Sequence, residues 1–219
     1  MLNYPGLLKQ RVKLQTDALR PTAVSYDPFA HVVVPGFVPP DDLRAIVAAL
    51  PMMSSGGSFP PEALRLSPVV QSLVAALQGP QMREAIARTF GLALDNAPTM
   101  LTLRGRTREK DGRIHRDSTA KLVTVLLYLN PTSESWARRE GCLRLLRSPD
   151  DIEDYAVEVP PVDGTLLAFP NGPTTWHGHR RYVGRRYAIQ LNYMADGAKA
   201  RAELRRHRLS ALLKRFASA

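Results

Sequence analysis

Seven short extended runs between Thr99 and Met194 constrain this chain more than any other feature. They read TMLTLRG (99–105), KLVTVLLYLN (121–130), CLRLLRS (142–148), YAVEVP (155–160), GTLLAF (164–169), TWHGH (175–179) and RYAIQLNYM (186–194). The links between them hold Asn-Pro, Ser-Pro-Asp, Asp-Gly and Asn-Gly-Pro, residues that supply turn dihedrals and local side-chain to backbone hydrogen bonds. Strands this short and this regularly spaced predict a mostly antiparallel β sandwich or barrel.

What precedes them is helical. HVVVPGFVPPDDLRAIVAALP (31–51) opens with a β-branched run, turns at Pro35 and Gly36, and starts a helix after Pro39 and Pro40. Asp41 and Asp42 suit its first turn, where exposed amide dipoles favour negative charge. SSGGSFPPEA (54–63) reads as a connection. From Ala63 to Leu92 the apolar spacing predicts two helices split at Gln78, Gly79 and Pro80. The fold class expected is α+β, mainly β, with the N-terminal helices packed on one sheet. At 219 residues and 44% apolar content the chain suits one domain over 1–219: a supporting part at 31–98, a core at 99–194 and a C-terminal helix at 196–219.

That last segment holds seven Lys or Arg against two acidic residues, half of the net charge of +10. Over 199–216 it predicts an amphipathic helix, with Leu209, Leu212, Leu213 and Phe216 on one face and Arg201, Arg205, Arg208 and Arg215 largely outside it. Packing on the helical layer of the same domain is the expectation for that stripe. The charge points to anionic partners without choosing among them. The single cysteine, Cys142, excludes an internal disulfide and a cysteine-built zinc cluster and fits a reducing compartment; its apolar run suits a buried structural thiol. No signal-like apolar segment or membrane span is evident, so a cytoplasmic location is expected.

GRIHRDS (112–118) sets a histidine two residues before an aspartate in a chain that has five histidines. On extended backbone that step points both side chains to one side, so His115 and Asp117 converge. Imidazole plus carboxylate is two thirds of a metal site. A third ligand is available from His177 or His179, which share a face of a late strand. Two histidines and a carboxylate on one side of a metal leave the other side open, as non-haem Fe(II) oxygenases require.

Thr99 to Met194 resembles the Fe(II)/2-oxoglutarate dioxygenases, specifically the prolyl-4-hydroxylase-like branch with its double-stranded β-helix (jelly-roll) core. That branch has H-x-D, a distal histidine some tens of residues on, and a basic residue one strand-turn-strand later. Here His177 follows His115 by 62 residues and Arg186 follows His177 by nine; from His179 only seven remain, short for the family's link. The resemblance thus implies His115, Asp117 and His177 as Fe(II) ligands and His179 as a pocket wall. TVLLYLN is similar to the family strand ending in Tyr-Leu-Asn. EGCLRLL is similar to its Gly-Gly-x-Leu-Arg strand, with Cys142 in place of the second glycine, and GRRYAIQLNY is similar to its closing strand. VVVPGFVPPDDLRAIVAAL looks like its opening strand and helix.

The resemblance implies Fe(II), 2-oxoglutarate and O2 as cofactors. Arg186 would fork onto the C5 carboxylate of 2-oxoglutarate, Tyr128 would add a hydrogen bond to it, and Arg104 would lie near the C1 and keto end. Arg104 is equally readable as a surface residue of an edge strand, Arg185 as solvent-facing, and Trp176 as pocket wall or core packing. Arg180, Arg181 and Arg185 form a basic rim that either draws an anionic substrate or is simply solvated. The activity implied is hydroxylation or desaturation at an unactivated C–H bond, with release of succinate and CO2, of a small molecule or protein side chain that is polar or anionic. Asp117 stands where halogenating relatives have a small residue. Gln190, Asn192 and Tyr193 stand where nucleic-acid demethylases have a second arginine, so no nucleic-acid motif is apparent. The competing expectation is a non-catalytic jelly-roll binding module for an anionic partner.

Overall fold

The computed structural model describes residues 11–53, 55–132 and 140–217, so most of the 131–140 loop lies outside the described residues. Eight strands run β1 (Val32–Val34), β2 (Thr99–Thr107), β3 (Lys121–Tyr128), β4 (Leu143–Leu146), β5 (Tyr155–Val159), β6 (Leu166–Pro170), β7 (His177–Gly178) and β8 (Gly184–Met194). The helices are α1 (Pro40–Ala48), α2 (Pro68–Gln78), α3 (Pro80–Phe90) and α4 (Ala198–Ala217). Proline opens α1, α2 and α3, where its fixed φ fits the first turn and its missing N–H has no partner to lose. Gly91, at φ +64°, closes α3 in the left-handed conformation.

One sheet has the order β1-β6-β3-β8-β2 and the other the order β5-β4-β7. Every pairing between named strands is antiparallel. The two sheets face each other across a cluster that joins Leu126, Tyr128, Leu167, Phe169 and Ala188 to Leu143, Leu145 and Val159. The result is a jelly-roll sandwich, not a closed barrel.

Alternation along the central strands sorts the chemistry. On β3, Val123, Val125 and Leu127 join the cluster shared with α2 and α3, and on β8 Ile189, Leu191 and Tyr193 do the same. The intervening positions turn toward the smaller sheet: Thr124, Leu126 and Tyr128 on β3, and Arg186, Ala188, Gln190 and Asn192 on β8. Register then sets Arg104 and Tyr128 on either side of Ala188. Each fully buried Leu or Val contributes about 1.5–3 kcal/mol over an exposed one. A one-residue slip of β3 would exchange Val123, Val125 and Leu127 for Thr124 and its neighbours, so burial fixes which residues face the site.

The C-terminal helix is as expected in extent and different in packing. Its first half is the anchored part: Ala200 is buried with Ala120 and Met194, Leu204 packs beside them, and His207 Nε2 meets the Leu101 carbonyl at 3.1 Å. Lys199 Nζ donates to Thr119 Oγ1 at 2.7 Å, and Ser118 Oγ donates to Glu203. The helix also contacts the single turn at Pro61–Ala63. It therefore covers the edge of β2 instead of the helical layer. Leu209, expected in the buried stripe, is 59% exposed. The side chains of Leu212, Leu213 and Phe216 lie outside the described residues.

A candidate metal centre between two cavities

His115 and His177 stand directly opposite each other in an antiparallel bridge, each N–H donating to the other's carbonyl at 3.0 Å. Opposed side chains of such a pair rise on the same face, and the two rings lie 4.3 Å apart. Asp117 follows two residues on. One donor atom from each of the three lies within 4.8 Å of the others. His115 Nδ1 faces the Arg113 carbonyl at 2.8 Å and His177 Nδ1 faces the Thr175 carbonyl at 2.9 Å. Neutral imidazoles held this way donate from Nδ1 and keep Nε2 as a free lone pair.

The carboxylate is held as firmly. Lys121 Nζ donates to Asp117 Oδ1 at 2.7 Å and Thr124 Oγ1 donates to Oδ2 at 2.5 Å; Asn171 Nδ2 in turn donates to Thr124 Oγ1 at 2.9 Å. Burial alone would raise the Asp117 pKa, but the Lys121 charge, the neighbouring His177 and these hydrogen bonds outweigh it and pull the carboxyl below its ordinary value. His177 titrates at about 4, chiefly because burial penalises its cation and then because His115 is close. The donor set is thus two imidazoles and one anionic carboxylate, suited to Fe(II).

Two cavities meet at this cluster. The smaller, about 390 Å³, is lined by all three donor residues together with Arg104, His179, Arg186 and Gln190. Arg186 is buried; its Nε donates to the Gly141 carbonyl at 2.8 Å while its buried Nη2 has no hydrogen-bond partner. Tyr128 lies behind it, with the guanidinium carbon 5.3 Å from the ring centroid. Burial raises the Tyr128 pKa, and the Arg186 charge and a hydrogen bond from Arg186 oppose that shift. Arg104 projects into the same space, where solvent reaches it; enclosure by the walls, and then the Arg186 charge, lower its pKa. Neither arginine forms an ion pair with an acidic residue among the described residues; the chamber's aspartates, Asp111 and Asp117, are paired with Arg108 and Lys121 and act on Arg104 only at a distance.

His179 shares this chamber. Burial, and then the Arg186 charge, lower its pKa to about 4. Its backbone N–H donates to the Gly112 carbonyl at 2.9 Å. Gly112 has φ +89°, and a Cβ there would meet the His179 ring at 2.3 Å, so only glycine lets the loop close over this wall.

The larger cavity, about 810 Å³, opens on the other side of the cluster. It shares His115 and Asp117 with the chamber, but not His177 or Arg186, and is walled by Ile114, Leu122, Pro170, Pro173 and Trp176. Arg116 lies at this wall, its guanidinium carbon 4.5 Å from the Trp176 centroid and its Nη1 donating to the Pro173 carbonyl at 2.7 Å.

The remaining arginines of this region are engaged elsewhere. Arg180 pairs with Glu153 at 2.6 Å and Arg181 with Glu109, while Arg185 is exposed. Sequence reading missed the residues around Asp117: Lys121, Thr124 and Asn171 look like ordinary strand and turn residues, and the period-2 alternation from Asp117 reaches Lys121 but not Thr124, which a register shift after Lys121 turns toward the carboxylate. It also missed Arg144, 1% exposed, which is held by Glu158 and Glu153 at 2.7 Å each and by the Tyr155 ring. That network fastens the 150s loop to β4.

A family model for the 2OG-Fe(II) oxygenase superfamily matches residues 105–194. The search of curated proteins returned no match. Among solved structures, a Pseudomonas putida prolyl-4-hydroxylase is 20% identical and covers 90% of this chain and 97% of its own, with a TM-score of 0.52. A prolyl 4-hydroxylase from Phytophthora capsici is 16% identical, covering 92% and 72%, with a TM-score of 0.56. The 2OG complex of a viral collagen prolyl hydroxylase from Paramecium Bursaria Chlorella virus-1 is 14% identical, covering 78% and 99%, with a TM-score of 0.51. The cofactors this family implies are Fe(II), 2-oxoglutarate and O2. Residues 105–194 thus match the 2OG-Fe(II) oxygenases, and the jelly-roll fold around them is similar to that of the prolyl 4-hydroxylases compared.

Proposed function

We propose that the chain acts as one domain and is an Fe(II)- and 2-oxoglutarate-dependent dioxygenase. It hydroxylates an unactivated C–H bond of a polar or anionic substrate, a small molecule or a protein side chain, and releases succinate and CO2. The observation that carries this reading is the convergence of His115, Asp117 and His177 beside a chamber in which a buried guanidinium nitrogen of Arg186 lacks a partner.

The residues present fit the group. His115 and His177 would offer Nε2, and Asp117 one carboxylate oxygen, to Fe(II). Lys121 and Thr124 hold that carboxylate in its anionic, oriented form. Arg186 would take the C5 carboxylate of 2-oxoglutarate, with Tyr128 bracing the guanidinium, and Arg104 would face the C1 and keto end. When bound, Fe(II) with 2-oxoglutarate supplies the oxidation of a C–H bond by O2. His179 and Leu126 wall the chamber, and where they displace water they strengthen the charge interactions beside them.

Anaerobic addition of Fe(II) and 2-oxoglutarate should produce a weak visible charge-transfer band that is lost in Asp117→Ala. His177→Ala should fail to retain iron on metal analysis, whereas His179→Ala should retain it. Absence of the band in the native protein would favour a binding module, and equal iron loss in both histidine variants would remove His177 from its assigned role.

A further inference from the structure

We infer that the larger cavity is the prime-substrate site and that it selects a molecule with an apolar body and one anionic group, the anion seated on Arg116. This rests on the dioxygenase reading and deepens it. The two cavities divide the cluster between them: Arg186 and Arg104 are in the smaller chamber, and the larger groove reaches the cluster only from the His115 and Asp117 side. A substrate in the groove therefore meets the metal ligands from a side that the cosubstrate's charged end does not occupy.

The groove's chemistry is uneven. Leu122, 37% exposed, Ile114, Pro170, Pro173 and Trp176 give it apolar walls. Its charged groups are Arg116, Lys121 and Asp117. Lys121 and Asp117 are paired at 2.7 Å, with side-chain exposures of 12% and 8%, so they neutralise each other. Arg116 is left as the uncompensated charge: exposed, and without an ion pair among the described residues. The Trp176 face and the Pro173 carbonyl fix the guanidinium while using one of its nitrogens, which leaves donors for a carboxylate, sulfonate or phosphate at little further cost in side-chain order. An apolar groove with one oriented, unpaired cation at its wall is complementary to an amphiphilic anion and repels a cation.

The test uses the full chain loaded anaerobically with Fe(II) and 2-oxoglutarate, in a Trp136→Phe background that leaves Trp176 as the only tryptophan. Two probes of similar shape are titrated: anilinonaphthalenesulfonate, which is anionic, and phenylnaphthylamine, which is neutral. Energy transfer from Trp176 reports seating in the groove. The anionic probe should bind about fivefold more tightly, near the upper limit for a solvent-reachable ion pair. Arg116→Gln should abolish the preference by weakening only the anionic probe, and Arg116→Lys should retain most of it. Equal binding of the two probes, an equal loss of both in Arg116→Gln, or no transfer from Trp176 would each overturn the inference. Arg186→Ala should lose 2-oxoglutarate affinity yet keep the probe preference. A native protein that binds no 2-oxoglutarate but still discriminates between the probes would overturn the dioxygenase reading and not the groove's charge selectivity.

Discussion

Arg186 is fixed by the Gly141 carbonyl on one nitrogen and unsatisfied on another, at a depth where an unpaired charge is costly. Arg186→Ala should therefore weaken 2-oxoglutarate binding by about 2–5 kcal/mol, the range for losing one partner of a buried charge pair. Arg186→Lys should recover part of this, because an ammonium keeps the charge but not the fork. Titration of 2-oxoglutarate against the Fe(II) protein measures both, and an unchanged affinity would move the role to Arg104. The two histidines whose pKa falls to about 4 give a second expectation, for metal-free protein. In the unfolded chain each takes a proton near pH 6.5, and in the fold only near 4. Between those values the unfolded state binds more protons, so this stability is complete above about pH 6.5 and lost as pH falls toward 4. Urea unfolding at pH 4.5 and 7 should show that loss, and His179→Gln should reduce it. A pH-independent His179→Gln difference would show that its histidine is not held neutral by the fold.

At the scale of elements, α4 is anchored by its first half, through Ala200, Leu204 and His207, onto the edge of β2. Removing residues 199–219 should expose that edge and lower the melting temperature by several degrees, since burial of Ala200 and part of Leu204 is worth about 1–3 kcal/mol together. Unchanged melting, with anionic vesicles pelleting only the full-length chain, would make the helix a membrane device. The helix's extent was readable from its composition, but its buried face was not. Leucines at helical spacing announce an amphipathic stripe, whereas the surface available was a sheet edge with an open carbonyl at Leu101, which a histidine could satisfy and Leu209 could not. Strands were legible for the opposite reason: period-2 burial between two layers leaves β3 and β8 little choice, and each of the seven runs found in the sequence contains a strand. In the site, His115, Asp117, His177 and Arg186 could be found because their spacing resembles a family's. Lys121, Thr124 and Asn171 could not, because hydrogen bonds assembled across β3 and the 170s turn leave no linear pattern.

For the whole molecule, the three donor residues come from two places in the chain, 115–117 and 177, and they meet only when the sandwich has formed. A divalent ion that binds the folded state alone stabilises it by mass action, about 2.7 kcal/mol at one hundred times its dissociation constant. For a chain of this size that is about 5–10 °C in melting temperature. Adding Co(II) or Mn(II) to the native protein should raise the midpoint by that amount and leave His177→Ala unmoved; a rise in both would place the ion elsewhere. The reciprocal bridge between His115 and His177 has a wider consequence. The ligands are set opposite each other by their own backbones, so ion retention gauges how completely the two ends of the core have closed on each other. Substitutions far from the cluster that loosen the pairing of β2 with β8 should surface in a screen for iron loss, although they touch no ligand.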